Sequence, residues 1–216
     1  MSSLKEKTAK GLFWGGMNNM VQQIVGLAFG IVLGRLLSPY DYGMMAMISV
    51  FSLVATALQD SGFKVALTNQ EKPTDADYNS VFWFNIIMGL AMYAMLFAAA
   101  PLIAHYYNTP KVVPLCRLAF LSIVIASLGT AQSAWLFKNL RAKQQAKASM
   151  AAVLVSSCVG AGMAFAGMAY WSLATQGLVY VGLNTLLQWH YSPWRPSLHG
   201  ITFAPVRRMF RFSCKI

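Results

Sequence analysis

Apolar side chains recur along this chain in six long runs, each closed by a short polar segment. The runs are Gly11–Gly34, Gly43–Phe63, Tyr78–Ala104, Val112–Phe137, Ala148–Met168 and Trp171–Trp189. Each approaches the roughly 20 residues that an α-helix needs to cross a bilayer core. No stretch alternates apolar and polar residues for long enough to build barrel strands. The pattern predicts an all-α, polytopic membrane protein with a six-helix transmembrane lobe over residues 11–189. Residues 1–10 precede the lobe, and a basic segment, 190–216, ends where a seventh helix is expected.

Within the runs, polar residues fall at helical spacing. The first carries Asn18, Gln22, Gly26, Gly30 and Gly34 at every fourth position, with Asn19 and Gln23 beside them. The second carries Ser49, Ser52, Thr56 and Asp60, and the sixth carries Gln176, Tyr180, Asn184 and Gln188. The fifth offers Ser156, Gly160 and Ala164, a face small enough for close helix packing. Polar groups in a bilayer must meet other helices or a watery cavity. Taken singly, these amides and hydroxyls read as helix-to-helix glue. Three continuous stripes predict a common interior, with partners suited to a hydroxyl-rich substrate.

Composition agrees with a membrane protein. Charged residues make up 11% of the chain and hydrophobic ones 57%, against about 25% charged in a soluble domain. The net charge is +11, and its distribution fixes an orientation. A cytoplasmic N-terminus places Lys5, Lys7, Lys10, Lys64, Lys72, Lys138, Arg141, Lys143, Lys147, Arg195, Arg207, Arg208, Arg211 and Lys215 inside. Arg35, Lys111 and Arg117 remain outside, which is a strong positive-inside bias with both termini cytoplasmic in the inner, plasma membrane. These cations flank apolar spans and form no stripe interleaved with aromatics, so nucleic acid is not an expected partner. The first run is long and rich in amides, and it lacks a small-residue cleavage site. It reads as an uncleaved helix.

Two ionisable groups lie within the spans. Asp60 closes the second, either as a helix-end residue paired with Lys64 or as a functional acid. Arg117 lies several residues into the fourth, either snorkelling outward or gripping a diphosphate with its planar fork. Asp75-x-Asp77 has the form of a metal-binding pair, but in a polar loop it reads as turn and cap chemistry, with Thr74 or Asp75 capping the third helix. Gly43 is expected to free the backbone where the second helix starts. The histidines at 105, 190 and 199 are far apart, and Cys116, Cys158 and Cys214 show no metal-binding or disulfide spacing. No catalytic residue, metal site or cofactor is expected, so an enzyme is poorly supported.

Several motifs carry a family resemblance: Gly11-Leu-Phe-Trp14, Gly34-Arg-Leu-Leu-Ser-Pro-Tyr-Asp-Tyr-Gly43, Leu58-Gln-Asp-Ser-Gly62 and Phe82-Trp-Phe-Asn85. Ala100-Pro-Leu-Ile-Ala104, Tyr106-Tyr-Asn-Thr-Pro110, Tyr170-Trp-Ser-Leu-Ala174 and Trp194-Arg-Pro196 extend it along the chain. The chain resembles the N-terminal half of bacterial polysaccharide and O-antigen flippases, exporters of the MATE-like superfamily. The resemblance implies one lobe of a two-lobed transporter that flips an undecaprenyl-diphosphate-linked oligosaccharide by alternating access. It also implies membrane lipids, a missing C-terminal lobe or second copy and, in some relatives, a coupling cation as partners. The pathway candidates are Asn18, Asn19, Gln22, Gln23, Asp60, Arg117, Gln176, Asn184 and Gln188. A drug exporter of the same fold is the nearest alternative, followed by a non-transporting membrane subunit; a membrane glycosyltransferase comes last.

Overall fold

A computed structural model describes residues 4–59, 67 and 73–197, with side chains described at 10–57, 67 and 73–197. Seven helices occupy the described residues: α1 (Leu4–Leu36), α2 (Pro39–Gln59), α3 (Asp75–Tyr106), α4 (Val112–Ser127), α5 (Thr130–Lys138), α6 (Ala142–Phe165) and α7 (Tyr170–Tyr191). Lys10–Leu36, Pro39–Ala57, Asp75–Tyr106 and Ala142–Phe165 are each long and apolar enough to cross a membrane. The fourth expected span is broken, and α4 and α5 form one candidate crossing bent by 42°. The sixth, α7, has 22 residues, but Gln176, Asn184, Gln188 and His190 leave it too polar to qualify by composition. Among the described residues, length and composition thus give four candidate spans, or five with the bent pair counted as one, where the sequence pattern gives six. The protein is an all-α, polytopic membrane protein.

Two helix starts use the same device. Ser38 and Asp41 exchange hydrogen bonds: the Ser38 amide donates to Asp41 Oδ2 at 2.9 Å, and the Asp41 amide donates to Ser38 Oγ at 3.4 Å. Thr74 and Asp77 repeat it, at 2.9 Å from the Thr74 amide to Asp77 Oδ2 and 3.3 Å back. Each pair satisfies amide groups that a helix start leaves without partners. The second helix therefore begins at Pro39, not at Gly43. Proline's fixed φ suits a first helical position and its missing N–H costs nothing there. Asp77 is buried in its capping role.

The helices pack in a row, α1 on α6, α6 on α7, α7 on α4 and α4 on α3, with α2 laid against α4, α7 and α3. Short α5 touches α3, α6 and α7. α1 makes its extensive contact with α6 alone. The two run parallel, because Gly11 adjoins Ala142 at one end and Phe29 meets Gly160 further along. The expected small face of α6 packs as predicted, with Ser156, Gly160 and Ala164 all buried. A Cβ on Gly160 would stand 2.8 Å from Gln176 Cβ and 2.9 Å from Phe29 Cζ. Glycine at 160 is what lets α1, α6 and α7 meet.

Apolar packing concentrates at two levels. Met44, Ile48, Ala100, Ile103, Leu115 and Phe120 join α2, α3 and α4. At the opposite end Tyr78, Val81, Phe82, Ala131, Ala134 and Trp194 form a second cluster. Trp194 belongs to residues 192–197, which fold back from α7 onto the start of α3. The Ser197 amide donates to Asn79 Oδ1 at 3.0 Å, and Trp83 Nε1 donates to the Ser197 carbonyl at 3.1 Å. This strap ties the last described residues to the start of α3.

Candidate functional site

The site grows from the break between α4 and α5. A bend inside an apolar span leaves carbonyls that water cannot reach, so side chains must meet them. α7 supplies the donors: Thr185 Oγ1 donates to the Ile125 carbonyl at 3.3 Å and Trp189 Nε1 to the Leu128 carbonyl at 2.8 Å. Gly129 lies at the bend because α7 comes so close. A Cβ there would be 3.0 Å from Thr185 Oγ1 and 3.4 Å from Gln188 Oε1.

Beside the bend lies a cavity of about 420 Å³. Thr56 of α2 forms one wall, and Gly129, Thr130 and Ser133 line the bend. α6 contributes Gln145 and Ser149, while α7 contributes Tyr180, Asn184, Thr185 and Gln188. Ser149 Oγ contacts Asn184 Oδ1 at 3.4 Å, and Gln145 Nε2 donates to Ser133 Oγ at the same distance. No lining side chain is charged. Hydroxyls and amides can both donate and accept, so this wall suits a neutral, hydroxyl-rich group. It holds neither a nucleophile with its base nor a paired acid and base. Among the described residues, no group of three or more His, Cys, Asp or Glu side chains is placed to hold a metal ion.

The structure brings some of the expected residues together and leaves others apart. Thr56 from the second stripe and Tyr180, Asn184 and Gln188 from the sixth share the cavity. The α1 stripe does not line this cavity, because α1 packs mainly on α6. Asn18 and Gln22 are half-buried, Asn19 and Gln23 are exposed, and Asn18 Oδ1 is buried without a hydrogen-bond partner. Gln176 packs against Gly160, between α6 and α7. Arg117 is exposed, its guanidinium 4.1 Å from the centre of the Phe97 ring. It stands nine residues before the cavity residue Ala126, about 13 Å along the helix and half a turn round it. Asp60 lies outside the described residues, as do Lys64, His199 and Cys214.

Sequence reasoning passed over Gly129, Thr130, Ser133, Gln145, Ser149 and Thr185. The signal was there for two of them: Gln145 and Ser149 continue the Ser156–Gly160–Ala164 face of α6 toward its start. Gln132 was also missed. It is 0% exposed, and neither its Nε2 nor its Oε1 has a protein hydrogen-bond partner. A polar cluster inside an apolar run (Thr130, Gln132 and Ser133) marks the broken helix.

The lipopolysaccharide biosynthesis protein WzxC of Escherichia coli K12 is 25% identical to this chain, over 97% of the chain and 43% of that protein. The succinoglycan biosynthesis transport protein ExoT of Rhizobium meliloti is 26% identical over 67% of the chain and 29% of its own length. The teichuronic acid biosynthesis protein TuaB of Bacillus subtilis is 24% identical over 65% and 29%. The chain thus spans less than half the length of these curated relatives. No solved structure matches it. The family model described as polysaccharide biosynthesis protein matches residues 32–216, most of the chain, and on that match the chain belongs to the polysaccharide biosynthesis protein family.

Proposed function

We propose that this chain forms one lobe of an exporter that carries an undecaprenyl-diphosphate-linked oligosaccharide from the inner to the outer leaflet of the inner membrane. The observation that carries the reading is the uncharged cavity of hydroxyls and amides beside a broken helix. Broken helices and inter-bundle sites are where transporters seat their substrates. The names of the relatives, which speak of polysaccharide biosynthesis and transport, point the same way. An uncharged lining weighs against a cationic drug as cargo, since nothing in it would neutralise one. Asn184 and Gln188 are assigned to the polar pathway. Alternating access needs a second bundle, supplied by further chain or by another copy, and a coupling cation would enter there. The segregation of the cations supports a cytoplasmic location for both termini.

Disrupting the reading frame that encodes this chain tests the proposal. Surface polysaccharide should fall, and lipid-linked saccharide should accumulate on the inner leaflet. Unchanged surface polysaccharide with no accumulated precursor would overturn it.

A further inference from the structure

The turn between α5 and α6 departs from the usual chemistry of a helix end. The Arg141 amide donates to the Leu136 carbonyl at 2.9 Å and the Leu140 amide to the Phe137 carbonyl at 3.1 Å. Residue 140 is thereby held in the left-handed conformation, at φ 53°. Glycine or asparagine normally takes this position, because a branched side chain is strained there. Burial does not offset the strain, since Leu140 is 53% exposed and nearby Phe137 60% exposed. Cations crowd the same turn. Lys138, Arg141, Lys143 and Lys147 fall within ten residues, and no Asp or Glu occurs from residue 78 to residue 216. Rings steady two of the cations: the Arg141 guanidinium lies 5.2 Å from the centre of the Trp135 ring, and Lys143 Nζ lies 5.3 Å from that of Trp14.

We propose that the α5–α6 turn is a docking surface for anionic phospholipid of the cytoplasmic leaflet. Arg141, Lys143 and Lys147, all exposed, meet the headgroup phosphates, while Phe137 and Leu140 enter the acyl layer beneath them. Cations alone would suit any polyanion, but an apolar pair among them selects a lipid surface. With no carboxylate in this segment or in any residue after it, the counter-charge has to come from elsewhere, and the inner leaflet carries it. The inference uses only the orientation proposed above and does not depend on the cargo. Its consequence lies in α5, a helix of nine residues with Gly129 and the bend at one end and this turn at the other. A lipid held at the turn fixes the far end of α5, so the composition of the leaflet bears on the geometry of the broken helix.

The test uses the full chain in phosphatidylcholine nanodiscs doped with photoreactive phosphatidylglycerol or, separately, with photoreactive phosphatidylcholine of the same acyl chains. Phosphatidylglycerol should label residues 137–147 at least about fivefold more strongly, the preference that a single interfacial cation supplies. Arg141→Gln combined with Lys143→Gln should bring the ratio close to one. Arg35→Gln combined with Lys111→Gln removes the same charge at the other end of the helices and should leave the ratio unchanged. Leu140→Gly, which relieves the strained backbone and so keeps the turn folded, should lower labelling by both lipids about fivefold. Equal labelling by the two lipids overturns the inference, as does full labelling that persists in both turn variants. Neither inorganic phosphate nor undecaprenyl diphosphate should displace the phosphatidylglycerol; displacement by either assigns the turn to a free anion or to the cargo and overturns the inference. A preserved preference for phosphatidylglycerol, with surface polysaccharide unaffected by disruption of the reading frame, would instead retain this surface and remove the export reading.

Discussion

Gly160→Ala is the sharpest available probe of how the helices are held together. The added methyl would sit 2.8 Å from Gln176 Cβ and 2.9 Å from Phe29 Cζ, where carbon atoms in good contact stand about 3.5–4.0 Å apart. Roughly 1 Å of separation must be found. Gln176 Cβ is bonded directly to its backbone and cannot swing aside, so α7 itself must move, and α1 must follow on the other side. Overpacking of this kind costs about 1–3 kcal/mol, while alanine's better helix propensity returns up to about 1 kcal/mol. Gly162→Ala on the same helix isolates the second contribution, because its Cβ meets nothing within 4 Å. Unfolding of both variants in mixed micelles, followed by far-UV circular dichroism, should place Gly162→Ala at or slightly above the parent. Gly160→Ala should fall about 1–3 kcal/mol below Gly162→Ala. Equal stability of the two variants would show that α1, α6 and α7 do not meet at Gly160 as described.

Three further outcomes are expected. Trp189→Phe removes the donor to the Leu128 carbonyl and should cost about 0.6–1.7 kcal/mol in the same unfolding measurement; a stability equal to the parent's would deny α7 its role in holding the bend. Gln132→Met exchanges a buried amide without protein partners for an apolar side chain of similar length and should raise stability by about 1–3 kcal/mol; a loss would show that the amide is satisfied in the working protein. Reporter fusions after Lys111 and Tyr170 should be active outside the cell, and those after Lys72 and Lys143 inside; reversal at either pair refutes the orientation.

Much of the architecture was legible because bilayer-spanning helices announce themselves by length and composition. The bend at Gly129 was harder to read, because Leu128 and Gly129 look like ordinary members of an apolar run and the polar Thr130, Gln132 and Ser133 beside them do not fix where the helix breaks. The bend is set by a neighbour, α7, sixty residues further on, whose Thr185 and Trp189 reach its carbonyls. Helical phase correctly grouped Tyr180, Asn184 and Gln188 on one face. It said nothing about which helix that face would meet, and the amides of α1, expected in the same interior, do not line this cavity. Spacing orders residues around one axis, whereas the choice of partner depends on packing such as the fit of Phe29 beside Gly160. Asp75 and Asp77 illustrate the reverse, since the local chemistry of a helix start was enough to interpret them.

The pairing of α1 with α6 also imposes an order of events during synthesis. α1 ends at residue 36 and α6 at residue 165. At about 5–20 residues per second the ribosome needs roughly 6–26 s to make the chain between them. Through that interval the first helix carries Asn18, Asn19, Gln22 and Gln23 into the membrane without the surface it will finally rest on. Its amides must shelter meanwhile against lipid headgroups, the insertion machinery or a passing helix. Within this stretch of chain, α1 is therefore made well before the helix that seats it, and its amides wait on α6 for their packing surface.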